Sequence, residues 1–298
     1  MAPSQPGAAP AHSPAEFEAL AARIRPELHR YCARMIGSVV DAEDVVQEAL
    51  AKAYAALPRT SVANMRAWLF RIAHNIAVDT LRRTSQQPAE YLDEHALVAE
   101  PDPPLDEREL VAAALSVFLQ LAPQQRSCVI LKDVLGYSLA DISELLDITV
   151  PAIKAALHRG RARLRERALS SIAGAPMALD AHERELLARY ISSFNARDFP
   201  TVRAMLADDV RLDLVSRTTR RGRAEVGEYF QRYDLVDDWR LAPGTVERRP
   251  AILVYDTRQP ASAPSYFVLL AWDGGRIAFI RDYRYATYVM RDLDFEPG

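Results

Sequence analysis

MRAWLFRIAHNIAVDTLRR, residues 65–83, contains no glycine or proline and repeats its apolar residues at helical spacing, which predicts one continuous helix. Trp68, Ile72 and Ile76 recur every four residues, with Leu69, Ala73, Ala77 and Leu81 beside them. Together they make a broad stripe that suits a core. Arg71, Asn75 and Asp79 line the opposite face, and Arg82 and Arg83 close the helix. A face of guanidinium and amide groups can hold phosphates and read base edges. It is also what a solvated helix face looks like, with cations at the end the macrodipole favours.

Working outward, the preceding sequence is helical from about Ser13. Glu16–Ile36 is one unit, with a break or kink expected at Pro26 and an end at Gly37. A second helix opens at Asp41, with acids in its first turn, and Pro58 stops it. Val45, Ala49, Leu50, Ala53, Tyr54 and Leu57 form its buried stripe, and Asp44, Gln47, Glu48 and Lys52 its outer face. A short polar loop, 59–64, leads into the helix at 65.

Beyond residue 84 the pattern lapses. TSQQPAEYLDEHALVAEPDPPLD (84–106) has prolines, acids that include Asp93, Glu94, Glu100, Asp102 and Asp106, and neither Lys nor Arg. It reads as a flexible acidic linker. Helices resume at Glu109–Leu121 and again from Pro123 to Gly136. Ser138-Leu-Ala-Asp141 is a capping-box start for a short helix to Leu146. Asp147-Ile148-Thr149 is a tight turn, and Thr149 caps a second helix carrying Lys154, His158, Arg159, Arg161, Arg163, Arg165 and Arg167. Two short helices joined this way, the second strongly basic, make a helix-turn-helix. Ile142, Leu145, Ile148, Ile153 and Leu157 are its expected internal packing.

After residue 176 the character changes again. Leu179–Ala196 and Phe199–Leu206 read as helices, and Val210, Leu212 and Leu214 then alternate with Arg211 and Asp213 as in a strand. Glu225–Tyr233 is helical. Strands follow at 239–248, 251–256, 266–272 and 276–283, with a last piece at 286–290. Asp273-Gly274-Gly275 is a hairpin turn. Residues 177–298 are therefore an α+β domain with a mostly antiparallel sheet.

Composition narrows the classes. Of 298 residues, 49% are apolar, enough for sizeable cores, and the net charge of −3 fits local basic patches rather than a general polyelectrolyte coat. No apolar run is long enough to span a membrane. The first twelve residues read as a disordered tail without a signal-peptide order. The two cysteines, Cys32 and Cys128, sit in apolar helical patterns and read as core residues of a cytoplasmic protein. The six histidines show no zinc spacing. No catalytic residue, metal ligand or cofactor is assigned.

DAEDVVQEALAKAY at 41–54, WLFRIAHNIAVDTLRR at 68–83 and LAPQQRSCVILKDVLGYSLADISELLDITVPAIKAALHRGRARLRE at 121–166 resemble the bacterial extracytoplasmic-function sigma factors of RNA polymerase, in the same order and spacing. YISSFNARDFPTVRAMLADDVRLDL, RGRAEV and WDGGRIAFIRDYR resemble SnoaL-like domains of the NTF2-like cone fold. The resemblance implies a multidomain chain: a tail at 1–12, region 2 at 13–84, an acidic linker at 85–106, region 4 at 107–170, a junction at 171–176 and a SnoaL-like domain at 177–298. It implies core RNA polymerase, through its β and β′ subunits, and promoter DNA as partners, with no membrane. Asp44, Gln47 and Glu48 would contact polymerase. Asn64, Arg71, Asn75, Arg82 and Arg83 would read and hold the −10 element, and Thr149, Lys154, His158, Arg159, Arg161 and Arg163 the −35 element. Ala155 and Ala156 stand where many members carry polar or basic residues, and leave only methyl contacts to DNA. The third domain is expected to regulate in cis rather than catalyse, with Asp213, Tyr229, Tyr255, Tyr266 and Asp282 lining a pocket for a small-molecule ligand.

Overall fold

The computed structural model describes residues 13–60, 62–84, 115–167, 179–231, 233, 236, 238–258 and 263–298. The expected tail, the acidic linker, the start of the helix at 109 and the junction at 171–176 lie outside these residues. The chain divides into two compact units, Met1–Ala173 and Gly174–Gly298.

The first unit is helical. α1, Pro14–Ile36, opens on a capping box in which Ser13 and Glu16 satisfy each other's backbone N–H groups. Pro26 does not break it. Pro26 and Ala22, whose carbonyl loses its helical partner, are both solvent-exposed. Gly37 ends α1 in the left-handed region at φ 79°. α2, Val39–Ala56, starts two residues before the expected Asp41, because Ser38 accepts from the Asp41 N–H and brings the buried Val39 and Val40 into the helix. Tyr54, expected in the core, is 48% exposed and only edges against Phe17.

α3, Met65–Thr84, is the helix read at 65–83. Its buried stripe is rotated from the expected one. Leu69, Phe70, Ala73, Ile76 and Ala77 are buried, whereas Trp68 and Ile72 are half-buried. Phe70 turns the stripe by inserting edge-on between Tyr31 and Tyr137, 5.8 Å from each ring.

α4 (Leu115–Phe118) and α5 (Pro123–Val129) follow. The helix expected to run on to Gly136 instead widens into a π-turn at Ile130–Val134, and Gly136 then takes φ 76°. α6, Leu139–Leu146, has the expected capping box, and Asp147 ends it in the left-handed region. α7, Val150–Arg167, completes the helix-turn-helix. Ile142, Leu145, Ile153 and Leu157 are buried between the two helices, and Ile148 is half-buried. α1 packs on α4 and α5, and α3 packs on α6. Cys32 and Cys128 are free thiols in this core, and burial pushes the Cys128 thiol up to about 12.

The second unit places α8 (Ala181–Asn195), α9 (Phe199–Ala204) and α10 (Gly222–Gln231) with a seven-stranded sheet of order β2-β1-β6-β5-β4-β3-β7. The strands are β1 Leu206–Leu214, β2 Thr218–Arg221, β3 Trp239–Val246, β4 Arg249–Asp256, β5 Tyr266–Asp273, β6 Arg276–Asp282 and β7 Phe295–Pro297. β1 runs parallel to β6; every other pair is antiparallel. Leu206, expected to end a helix, begins β1. The expected last strand at 286–290 is part of a 3-10 helix, Thr287–Asp292. Its buried residues, Ala286 and Val289, are three apart, which is the 3-10 period and not that of a strand. The β5–β6 hairpin turns at Gly274 and Gly275, both at positive φ (54° and 76°), as a two-residue hairpin loop requires. Phe194, Phe199, Phe230, Leu212, Ile252 and Ile280 are part of the core, each contributing about 1.5–3 kcal/mol by leaving water.

Candidate nucleic-acid interface

α3 holds the residues expected to face a −10 element, in two groups. Asn75, Arg82 and Arg83 are exposed. Arg82 lies 3.6 Å from Asp79, and Arg83 donates to the Asp79 carbonyl at 3.3 Å. Asn64 and Arg71 are engaged. Asn64 caps α3, its Oδ1 accepting from Ala67 N–H at 3.0 Å, while its Nδ2 donates to Glu144 Oε1 at 3.0 Å. Arg71 donates to the Glu144 carbonyl at 2.7 Å. Glu144 belongs to α6, so the helix-turn-helix occupies part of the α3 face. Beside these contacts is a cleft of about 340 Å³ lined by Glu27, Arg66, Tyr137 and Asp141 among others.

On α2, Asp44 and Glu48 face solvent, and Glu48 pairs with Lys52 at 2.7 Å. Gln47 is half-buried, its Nε2 3.4 Å from Glu43 Oε1. Glu43 is itself buried and pairs with Arg25 of α1.

On α7 the expected contacts separate by helical phase. Lys154 and Arg163 are exposed, and His158 and Arg159 are half-buried. Thr149 Oγ1 accepts from Ala152 N–H at 3.4 Å. Arg161, expected among the −35 contacts, is not on the exposed face of α7. It is 6% exposed and forks onto Asp133, with Nη2–Oδ1 at 2.6 Å and Nε–Oδ2 at 2.9 Å. Ala156 is likewise fully buried and offers no methyl to a groove. The sequence carried this signal: Ile153, Ala156, Leu157, Gly160, Arg161 and Leu164 are one helical stripe, and Arg161 sits within it. Gly160 belongs there because a Cβ would lie 2.8 Å from Val129 Cγ2, where α5 and α7 approach closely.

Two polar side chains that join the helices, the buried Arg126 and the half-buried His74, gave no such pattern. Arg126 of α5 donates to the carbonyls of Met35, Leu119 (2.9 Å) and Leu121 (2.8 Å). Burial brings its pKa down to about 10, so it stays charged at neutral pH. His74 Nδ1 of α3 shares a hydrogen bond with the Tyr31 hydroxyl at 2.7 Å, with Ser127 Oγ 3.3 Å away. Burial lowers His74 to about 4, so the imidazole is neutral at pH 7, with one ring nitrogen a donor and the other an acceptor.

In the second unit, Tyr229, Tyr266 and Asp282 line the cavity beneath α8 and α10, as expected, together with Tyr190 and Tyr233. Asp213 and Tyr255 are absent from that lining. Asp213 is one position out of phase with Leu212 and Leu214 and pairs with Arg281 at 3.2 Å, while the Arg240 guanidinium lies 5.0 Å from the Tyr255 ring centre. The cavity measures about 10 Å³, room for roughly one water. Asp282 is 1% exposed and accepts from Tyr229, from Tyr233 at 3.4 Å and from Arg284 N–H at 2.7 Å. Burial raises its pKa despite these donors, and burial also pushes the Tyr190, Tyr229 and Tyr233 hydroxyls well up. Tyr190 and Tyr233 were legible only in three dimensions, since each is one more aromatic on an apolar helix face.

Among the described residues no helix is long and apolar enough to cross a membrane, and no cluster of His, Cys, Asp or Glu is placed to hold a metal ion.

Residues 20–87 match the family model of sigma-70 region 2, and residues 112–164 that of sigma-70, region 4. The ECF RNA polymerase sigma factor SigW of Bacillus subtilis is 33% identical over 155 residues, 47% of this chain and 82% of that protein. SigG of Mycobacterium tuberculosis is 33% identical over 211 residues, 61% of this chain and 57% of that protein. The chain therefore spans a little over half the length of the SigG relatives. The chain belongs to the ECF RNA polymerase sigma factors. The crystal structure of M. tuberculosis extracytoplasmic function sigma factor SigJ aligns over 92% of this chain and 99% of that chain, with 22% identity and a TM-score of 0.33.

Proposed function

We propose that this chain binds core RNA polymerase, recognises −10 and −35 promoter elements and initiates transcription in the cytoplasm. The observation that carries the reading is the pairing, in one compact unit, of a region 2 helix exposing Asn75, Arg82 and Arg83 with a capped helix-turn-helix exposing Lys154 and Arg163. Its modules are residues 13–84 and 107–170, joined by the linker at 85–106. Asp44 and Glu48 on α2 contact the polymerase, with Gln47 at their edge. Lys154 and His158 meet base edges in the −35 major groove, and Arg159 and Arg163 the phosphates. Asn64 and Arg71 join the −10 set once the end of α6 has left α3, because Glu144 holds both in the arrangement described. Binding to polymerase supplies the energy for that separation.

The domain at 177–298 regulates this activity in cis and performs no turnover. A cavity of about 10 Å³ around a carboxyl whose acceptors are already used supports that reading; a small-molecule ligand would need the cavity to open first. In vitro transcription with core polymerase, comparing the full chain with one ending at Ser170, tests both parts. Promoter-specific transcript from at least one form is expected, with a changed level on truncation. Equal transcript from both forms overturns the regulatory role. Absence of transcript from any fragment of the genome overturns the sigma reading.

A further inference from the structure

We propose that the outer face of the C-terminal sheet, at its β2–β1–β6 end, is a binding track for single-stranded nucleic acid. The pleat sets the face. Ile280 and Asp282 line the inner cavity, so Phe279 and Arg281 point the other way. On β1, Leu212 turns inward and the exposed Arg211 turns outward in register with Phe279, while Asp213, on the same face and in register with Arg281, is buried at 3% exposure. Across the next strand pair, Arg221 of β2 stands directly opposite Arg211. Like charges so placed destabilise a sheet, and the core beneath does not require them. Arg217 continues the run at the β1–β2 turn.

None of the neighbouring carboxylates forms an ion pair with these cations. Asp213 is taken by Arg281 at 3.2 Å, Asp208 by Arg223 at 3.0 Å, and Glu225 accepts from the Arg221 backbone N–H at 3.2 Å. Glu228 pairs with Arg220, and the exposed Asp209 pairs with none of the three. Among the described residues, Arg211, Arg217 and Arg221 are thus exposed guanidinium groups with no carboxylate partner. Aromatic rings are interleaved with them. The Arg211 and Arg281 guanidinium carbons lie 5.6 and 5.7 Å from the Phe279 ring centre, and that of Arg217 lies 4.2 Å from Tyr285, which is 41% exposed.

Guanidinium groups that hold phosphates beside rings that stack bases are the means by which single strands are bound without sequence preference. An acidic peptide would engage the cations alone, and the rings would then do no more than hold the guanidinium groups in place. A duplex would keep its bases stacked on one another and away from the rings. The inference stands on this surface alone and is independent of the transcription reading.

The test is fluorescence anisotropy of the full chain with a labelled oligothymidylate between about 50 and 200 mM salt. The double substitution Arg211→Glu, Arg221→Glu is expected to weaken binding at least tenfold and to flatten the log–log salt slope by about 1.4, which is two phosphate contacts at about 0.7 each. Tyr285→Leu should weaken binding by roughly fivefold or more through lost stacking, with the slope unchanged. Arg211→Gln, Arg221→Gln is the milder pair, should charge reversal disturb the fold by circular dichroism. Unchanged affinity and slope in the arginine variants overturn the proposal and place the strand on the helical modules. A labelled peptide of residues 85–106 that binds the wild type, fails on the arginine variants and ignores Tyr285→Leu overturns it in favour of an acidic partner.

Discussion

In each compact unit desolvation shifts an ionisable side chain, half-buried His74 in one and fully buried Asp282 in the other, and the consequences run in opposite directions. His74, among α1, α3 and α5, is lowered to about 4 by burial. Asp282, under α8 and α10, is raised by burial. One cause serves both: loss of water disfavours the charged form, so a base releases its proton sooner and an acid keeps it longer. The linkage signs follow. The His74 contribution is complete above the ordinary histidine value of 6.5 and is lost as pH falls towards about 4. The Asp282 contribution is complete below the ordinary value of 3.8 and is lost as pH rises through its raised value. Through these two groups, the helical unit loses stability towards acid and the sheet unit loses it as pH rises. A buried polar group also does different work in each. In the helical unit it ties one helix to another, whereas in the cone it fills a space that could otherwise hold a ligand.

The largest expected effect tests the first half of that comparison. Arg161→Ala leaves Asp133, whose side chain is 1% exposed, without its partner. Breaking a buried pair from one side costs about 3–5 kcal/mol, so chemical denaturation should show the helical unit unfolding at much lower denaturant and the cone unmoved. An unaltered midpoint would mean that Arg161 is not a structural residue and would return it to the DNA-facing set.

Next comes the acid limb. A shift from 6.5 to about 4 corresponds to roughly 3 kcal/mol. The helical unit should lose up to that much stability between pH 6.5 and 4, and His74→Gln should flatten the loss. A helical unit whose stability is level across that range, with histidine present, breaks the comparison.

Arg163→Ala is the counterpart of Arg161→Ala, two residues along the same helix. It should change stability by less than about 0.5 kcal/mol and lower the salt slope of −35 duplex binding by about 0.9. Equal slopes for wild type and variant would remove Arg163 from the interface. The smallest effect is that of Asp282→Asn, which keeps an acceptor for Tyr229 while removing the ionisation. It should leave transcription unchanged and stabilise the sheet unit at pH values above the raised Asp282 value, read as a raised melting temperature. A drop in stability there would show that Asp282 is held as the carboxylate.

Sequence reading went furthest where the signal was local. The caps at Ser13 and Ser138, the left-handed Gly37, the Asp147 turn and the Gly274–Gly275 hairpin need only neighbours within a few residues, and each was legible or nearly so. It went less far where phase decided. Periodicity placed α3 correctly yet misjudged Trp68 and Ile72 against Phe70, and it left Arg161 among the surface arginines although its register put it in the core.

By itself the sequence determined the helical modules, the helix-turn-helix, the α+β character of the last domain and the family, because each follows from short-range periodicity, capping and ordered motifs. Only the tertiary structure decided which polar groups are spent. Asn64 and Arg71 are held by Glu144, Arg126 by three carbonyls, Arg161 by Asp133 and Asp282 by two tyrosines and a backbone N–H. Those partners lie far along the chain, or one helix face away. A charged side chain can meet solvent, ligand or a buried partner equally well until packing fixes which of them is within reach.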